Sequence, residues 1–287
     1  MHRGRFAEAE RQYREALALG AALNGPDSPE LSATHAALAS VEFTQDRFAE
    51  ARAEIDRAIA LHEAELGERG DLGHLLRMRA YALAKLGHGA SAVATVERAI
   101  ELRRREFGAA SWQVADITVS AGVVEGWLGR HARAAARYAS AIKIAEQLPQ
   151  RPAEHLGLWT AFRAEATLAT GDAKAAVNLA KTALASAPPG STSTMTGNIA
   201  RLVLADVLAR RSSGRGRALD LATTAAAGFE RDRDPDRAAR AHALIARLRA
   251  WRHGLTGGSA QPGLFFVAAT SRTAAISSTR SCRTSRS

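Results

Sequence analysis

His62, Glu63 and Leu66 form the stretch closest to a catalytic motif in this chain. A helical zinc site needs two histidines four residues apart, with a glutamate after the first to act as a base. Leucine at position 66 removes the second ligand, so His62 is expected to be an exposed helix residue. The other histidines, among them His35, His74, His88, His131, His155 and His242, are scattered one to a helix or turn. None has a partner at metal-ligand spacing, and surface or interface positions are expected for them. Gly67, Gly70 and Gly73 match a phosphate loop only in their number of glycines, and they follow a helical pattern where such a loop follows a strand. A turn is expected there. No serine sits in a nucleophile elbow, and no His-Arg-Asp or Asp-Phe-Gly motif is present. The expectation is a chain that is not an enzyme, with no catalytic residue, no metal and no cofactor.

Binding chemistry is better represented. Arg77, Tyr81 and Lys85 stand at i, i+4 and i+8, which stacks them in a column on one helix face. Comparable positions further on hold Asp116, Val119, Val123 and Trp127, then Leu158 and Glu165. Arginine and aromatic side chains are the residues that most often anchor protein interfaces. What brings these columns together must be a repeated element, because the positions recur at a fixed interval.

That element is legible in Asp46-Arg47-Phe48-Ala49-Glu50-Ala51. Gly4-Arg5-Phe6-Ala7-Glu8-Ala9 nearly duplicates it, and weaker copies open at Gly87, Gly129, Gly171 and Ser213. The closing alanines are Ala9, Ala51, Ala92, Ala134, Ala176 and Ala218, a step of 42 residues broken once by 41. Seven residues after each comes another: Ala16, Ala58, Ala99, Ala141, Ala183 and Ala225. A fixed period of this size signals a stacked repeat array. Leu31, Leu38, Val41 and Phe43 lie before the turn at roughly helical spacing, and Phe48, Ala51, Ile55, Ala58 and Ile59 share one face after it. Each copy therefore predicts two antiparallel helices joined at Asp46, Gly87, Gly129 or Gly171, with Gly4 in the same role at the start. Alanines seven apart stack two turns apart on the second helix, where a methyl side chain lets a neighbouring helix approach closely.

Between the paired alanines stand Tyr13, Ile55, Val96, Tyr138, Ala180 and Ala222. This rhythm of alanine, bulky residue and alanine after a glycine turn resembles the tetratricopeptide repeat. The 42-residue period and the polar turns at residues 24–30 and 67–71 are similar to the long-helix subtype typified by kinesin light chains. The resemblance covers about residues 4–230 and weakens in the first helices of repeats four and six. It implies an all-α, right-handed solenoid of about five and a half helix-turn-helix repeats plus a C-terminal capping helix. It also implies that the first helices line a concave groove. Arg77, Tyr81, Lys85, Asp116, Val123, Trp127 and Glu165 would then line a groove that binds a peptide or a partner helix. The family's clamp for chaperone tails uses lysine and asparagine from successive first helices. Asn24, Asn178 and Asn198 lie outside the matching positions, so binding of chaperone tails is not expected. Residues 199–251 resemble the last repeat and cap of the arrays that follow bacterial serine/threonine protein kinase domains. That resemblance supports an alternative: a regulatory segment of a longer signalling enzyme whose catalytic domain lies outside this chain.

The expected organisation is an array over residues 1–253, with repeat one lacking its first helix, and a disordered tail over residues 254–287. Asp234 followed by Pro235 predicts an N-cap and a first-turn proline for a polar capping helix over residues 234–252. A bare second helix at the start would leave apolar surface uncovered. That favours self-association, or a chain that forms the C-terminal part of something longer. The formal net charge is +10, of which the tail contributes Arg272, Arg280, Arg283 and Arg286 with no acidic residue. Acids and bases interleave in the remainder, which argues against a nucleic-acid surface. Cys282 is the lone cysteine, so no intrachain disulfide is possible and a reducing, cytoplasmic setting is the default. No apolar run approaches the roughly 20 residues of a membrane helix.

Overall fold

The computed structural model describes residues 3–149, 153–186 and 194–252. Twelve α-helices are found among them, and no strand. They are α1 (Arg3–Asn24), α2 (Ser32–Thr44), α3 (Phe48–Leu66), α4 (Leu72–Lys85), α5 (Gly89–Phe107), α6 (Trp112–Trp127), α7 (His131–Glu146), α8 (Ala153–Ala169), α9 (Ala173–Ala185), α10 (Met195–Leu208), α11 (Arg215–Asp232) and α12 (Pro235–Arg252). Each packs on the next in chain order, which makes a row of hairpins: α2 with α3, α4 with α5, and so to α10 with α11. First helices also touch one another, α2 to α4, α4 to α6 and α8 to α10, so they form the inner layer of a curved stack. No helix among the described residues is long and apolar enough to cross a membrane. The tail at residues 254–287, with Cys282, lies outside the described residues.

The repeating alanines do what their size allows. Ala51, Ala58, Ala92, Ala99, Ala134, Ala141, Ala176, Ala183, Ala218 and Ala225 are all 0% exposed. Ile55, Val96 and Tyr138, the bulky residues between them, are also buried. A branched side chain at any of these alanines has no room, and the cores are close-packed. Ala58→Leu should therefore cost about 1–3 kcal/mol, read as a lowered urea midpoint; an unchanged midpoint would mean the inter-helix seam is loose. In the first copy the pattern is different. Ala9 is half-buried and Ala16 exposed: among the described residues no helix precedes α1 to pack on it. Leu19 and Leu23 of α1 are 62% and 72% exposed.

The turns match the sequence in four copies. Asp46, Gly87, Gly129 and Gly171 all have positive φ, between 60° and 94°. Aspartate is one of the few residues with a side chain that visits this region, so Asp46 can stand where the other copies use glycine. The first and sixth copies depart. Gly4 lies inside α1 and makes no turn. Gly214 has φ −91° and ends a short 3-10 turn, Ser212–Gly214. Its smallness serves a close approach there, since a Cβ would come within 2.6 Å of the Leu208 carbonyl oxygen.

His62 corrects another expectation. It is 8% exposed, and its Nε2 lies 2.7 Å from the Arg69 carbonyl oxygen. The turn after α3 folds back over the helix end, with Gly67 and Gly70 at positive φ, and covers the imidazole. Four helix starts are capped by side-chain oxygens that satisfy otherwise unpaired backbone N–H groups. Ser111 accepts from Val114 N, Asp172 from Ala175 N, Thr194 from Gly197 N and Asp234 from Arg237 N.

Candidate functional site

The inner wall is built by α4, α6 and α8, and α12 crosses it. Arg77 of α4 donates from Nη1 to Asp116 Oδ2 of α6 at 2.8 Å. Its Nη2 donates to His74 Nδ1 at 2.6 Å, which requires that nitrogen to be unprotonated. Burial, and then the Arg77 charge, hold the His74 imidazole below its ordinary pKa and keep it neutral. Asp71, Arg103 and Trp112 complete the border of a cavity of about 240 Å³ at this end of the wall.

One helical turn on, the surface becomes aromatic. Tyr81 and Trp127 meet edge to face at 5.2 Å, and Phe43 of α2 lies 6.5 Å from Tyr81 and 6.3 Å from Trp127. Burial pushes the Tyr81 phenol up. Lys85 holds its ammonium 4.4 Å from the Trp127 ring centroid and 5.9 Å from that of Phe48, a cation over aromatic faces. Trp127 is still 41% exposed. Lys85 Nζ also faces Asp236 Oδ2 of α12 at 3.8 Å.

Glu165 of α8 belongs to a different cluster. It accepts from Arg237 Nε at 3.0 Å and Nη2 at 2.7 Å, and from Arg240. Burial alone would raise its carboxyl, but the two guanidiniums overcome that and hold it at about 2. Arg237 lies over the Phe162 ring at 5.4 Å and also pairs with Asp234 at 2.6 Å. Arg237 and Arg240 of the capping helix thus reach α8. Arg240 and Arg247 approach Asp206 at 3.8 Å and 3.9 Å.

Of the residues expected in the groove, Arg77 joins Asp116, and Tyr81 and Lys85 join Trp127. Val123 is half-buried against the core cluster that contains Tyr138 and Trp159. Val119 belongs to that core itself and does not face the groove. Leu158 is half-buried against the cores on either side. Glu165 is linked to Lys85 only through α12, whose consecutive residues Asp236 and Arg237 reach one each. Sequence reasoning missed Phe43, Phe162, Asp236 and Arg237. It also missed Trp112 stacked on Trp159 at 5.1 Å with His155 against it at 4.7 Å. No spacing rule signals these contacts, because they join helices from different repeats. Among the described residues no three His, Cys, Asp or Glu side chains are grouped to hold a metal ion.

A family model described as the tetratricopeptide repeat matches residues 1–64. Two solved structures share the architecture over nearly the whole chain. BtubC (BKLC) from P. vanneervenii matches 90% of this chain and 93% of its own at 17% identity, with a TM-score of 0.52. A Rap protein, solved complexed with Competence and Sporulation Factor, matches 88% of this chain and 72% of its own at 16% identity, with a TM-score of 0.57. The chain has the fold of a tetratricopeptide-repeat α-solenoid. The family match spans α1 to α3, where the turn sequence is most nearly duplicated; the later units carry alanine and glycine at the same positions. No curated protein matches the sequence.

Proposed function

We propose that the protein is a protein–protein interaction scaffold whose inner channel takes up a peptide segment of a partner. The observation that carries this reading is Trp127, a large aromatic residue left 41% exposed on the inner wall beside Lys85 and Tyr81. Exposed aromatics flanked by fixed charges are the usual anchors of an interface. The Rap protein of similar fold, solved complexed with Competence and Sporulation Factor, supports this reading.

The test uses a photo-reactive amino acid at Ser40, exposed on first-type helix α2, or at Ser140, exposed on second-type helix α7. Cross-linked partners should appear from Ser40 alone. Trp127→Ala should weaken their binding by about thirtyfold, the loss of an aromatic anchor worth about 2 kcal/mol. Equal cross-linking from Ser140, or an affinity indifferent to Trp127, would sink the reading.

A second contact is supported by Leu19 and Leu23, exposed side by side on α1. We infer that this flank meets another copy of the chain, or further chain of a longer signalling protein such as a bacterial serine/threonine kinase. Sedimentation at rising concentration separates the two: self-association abolished by Leu19→Ser with Leu23→Ser supports the first, and a monomer at all concentrations removes it.

A further inference from the structure

Units of a solenoid touch their neighbours, and the curvature is the sum of small rotations between them. Such a stack can open or close as a spring unless something ties distant units together. Two consecutive residues of α12 do so. Arg237 reaches Glu165 on α8, 72 positions away in sequence, and Asp236 faces Lys85 on α4. Neither contact belongs to nearest-neighbour packing.

The two ties differ in kind. Glu165 receives two nitrogens of Arg237 and one of Arg240 on a carboxylate only 17% exposed. Arg237 is itself steadied by Asp234 and by the Phe162 ring. The second tie is weak. Lys85 Nζ and Asp236 Oδ2 stand 3.8 Å apart, beyond hydrogen-bond length, and the Asp236 side chain is 65% exposed. Lys85 also sits over Trp127, a contact in which Asp236 takes no part.

We propose that the first turn of α12 is a clasp that sets the width of the channel, with Glu165 as its anchor and Lys85 as its latch. When the latch lets go, α12 moves together with the α10 and α11 core it is packed into, pivoting at the anchor, and the gap between α4 and α12 widens. The Lys85 and Trp127 surface is then uncovered to an incoming segment. That last consequence rests on the channel being the binding face. The opening does not, and is read on the free protein.

The experiment measures a distance by pulsed electron resonance between spin labels at His88, just after α4, and Ala239, in the second turn of α12. Both positions are exposed, and Cys282, the only cysteine, is replaced by serine. The otherwise unaltered chain should give one narrow distance. Asp236→Lys and Lys85→Met should each lengthen it by several ångströms, while Asp236→Glu should leave it as it was. Lys85→Met leaves α12 untouched and keeps an apolar stem on Trp127, so its effect reports the latch and not helix capping. Raising salt from about 0.1 M to about 1 M, which shortens the Debye length from about 10 Å to about 3 Å, should open the parent chain and leave Lys85→Met unchanged. A Lys85→Met distance equal to that of the parent overturns the clasp. If the distance responds and the Ser40 cross-link does not, the clasp stands and the binding reading fails; the converse sinks the clasp alone.

Discussion

Glu165→Gln should destabilise the C-terminal half of the array by about 3 kcal/mol, near the lower end of the cost of stripping one partner from a buried ion pair. Glutamine keeps the volume and one acceptor oxygen. It leaves Arg237 and Arg240 facing each other, with Asp234 and Asp206 as their remaining carboxylates. The displacement of the Glu165 pKa from 4.5 to about 2 gives a figure of the same size, at about 1.4 kcal/mol per unit. Replacing Glu165 and Arg237 together by methionine should recover most of the loss, since the cost comes from the orphaned charge.

The pH dependence has a definite sign. The folded carboxyl is depressed, so its contribution is complete above the unfolded value near 4.5 and is lost as pH falls from there through about 2. The stability gap between the parent and Glu165→Gln should therefore be constant near neutrality and close over that acid window. Arg237, Arg240, His131, Tyr138 and Asp206 are the other titratable groups that act on or feel this carboxylate. Burial, and then the Arg240 charge, hold the His131 imidazole below its ordinary pKa, and His131 is present in both parent and variant. A gap that persists at the acid end would show that Glu165 contributes through shape alone.

Phe229→Ala should cost about 3–5 kcal/mol, the range for removing a fully buried aromatic ring. Phe229 on α11 is wholly buried, in the cluster formed by Ile199, Leu202 and Val203 of α10 with Leu244, Ile245 and Leu248 of α12. Stability in a repeat array is a sum of local and nearest-neighbour contributions, so the damage should stay local. Hydrogen exchange should lose protection over α10 to α12 while α4 to α7 keep theirs. Because α12 carries the clasp, the His88 to Ala239 distance should broaden as well. Uniform loss of protection along the whole chain would show that the array unfolds as one unit.

The same division, local against cross-repeat, separates what was readable in the residues from what was not. The turn at Asp46, the buried face of Ala51, Ile55 and Ala58, and the cap of α12 at Asp234 depend on neighbours within one or two helical turns. A pattern of 3.6 residues or a capping rule reaches that far. His62 was misjudged because the turn that covers it lies seven residues on, after the helix has ended. Glu42 and Glu125 are instructive in another way. They occupy the same position in repeats two and four, and both are buried carboxylates beside a turn arginine, Arg47 and Arg130. Burial raises the Glu42 carboxyl despite Arg47. The periodic spacing was visible, but an acid in a helix is ordinarily solvated, and only packing shows otherwise.

The amino-acid sequence by itself determined the repeat length, the hairpin of each unit and which small side chains lie in the seams, because those depend on contacts between residues near in the chain. The width of the channel and the pairing of Lys85 with Asp236 and of Glu165 with Arg237 were decided only by tertiary structure. They follow from small inter-repeat rotations accumulated over several units, and no local pattern of residues encodes such a sum.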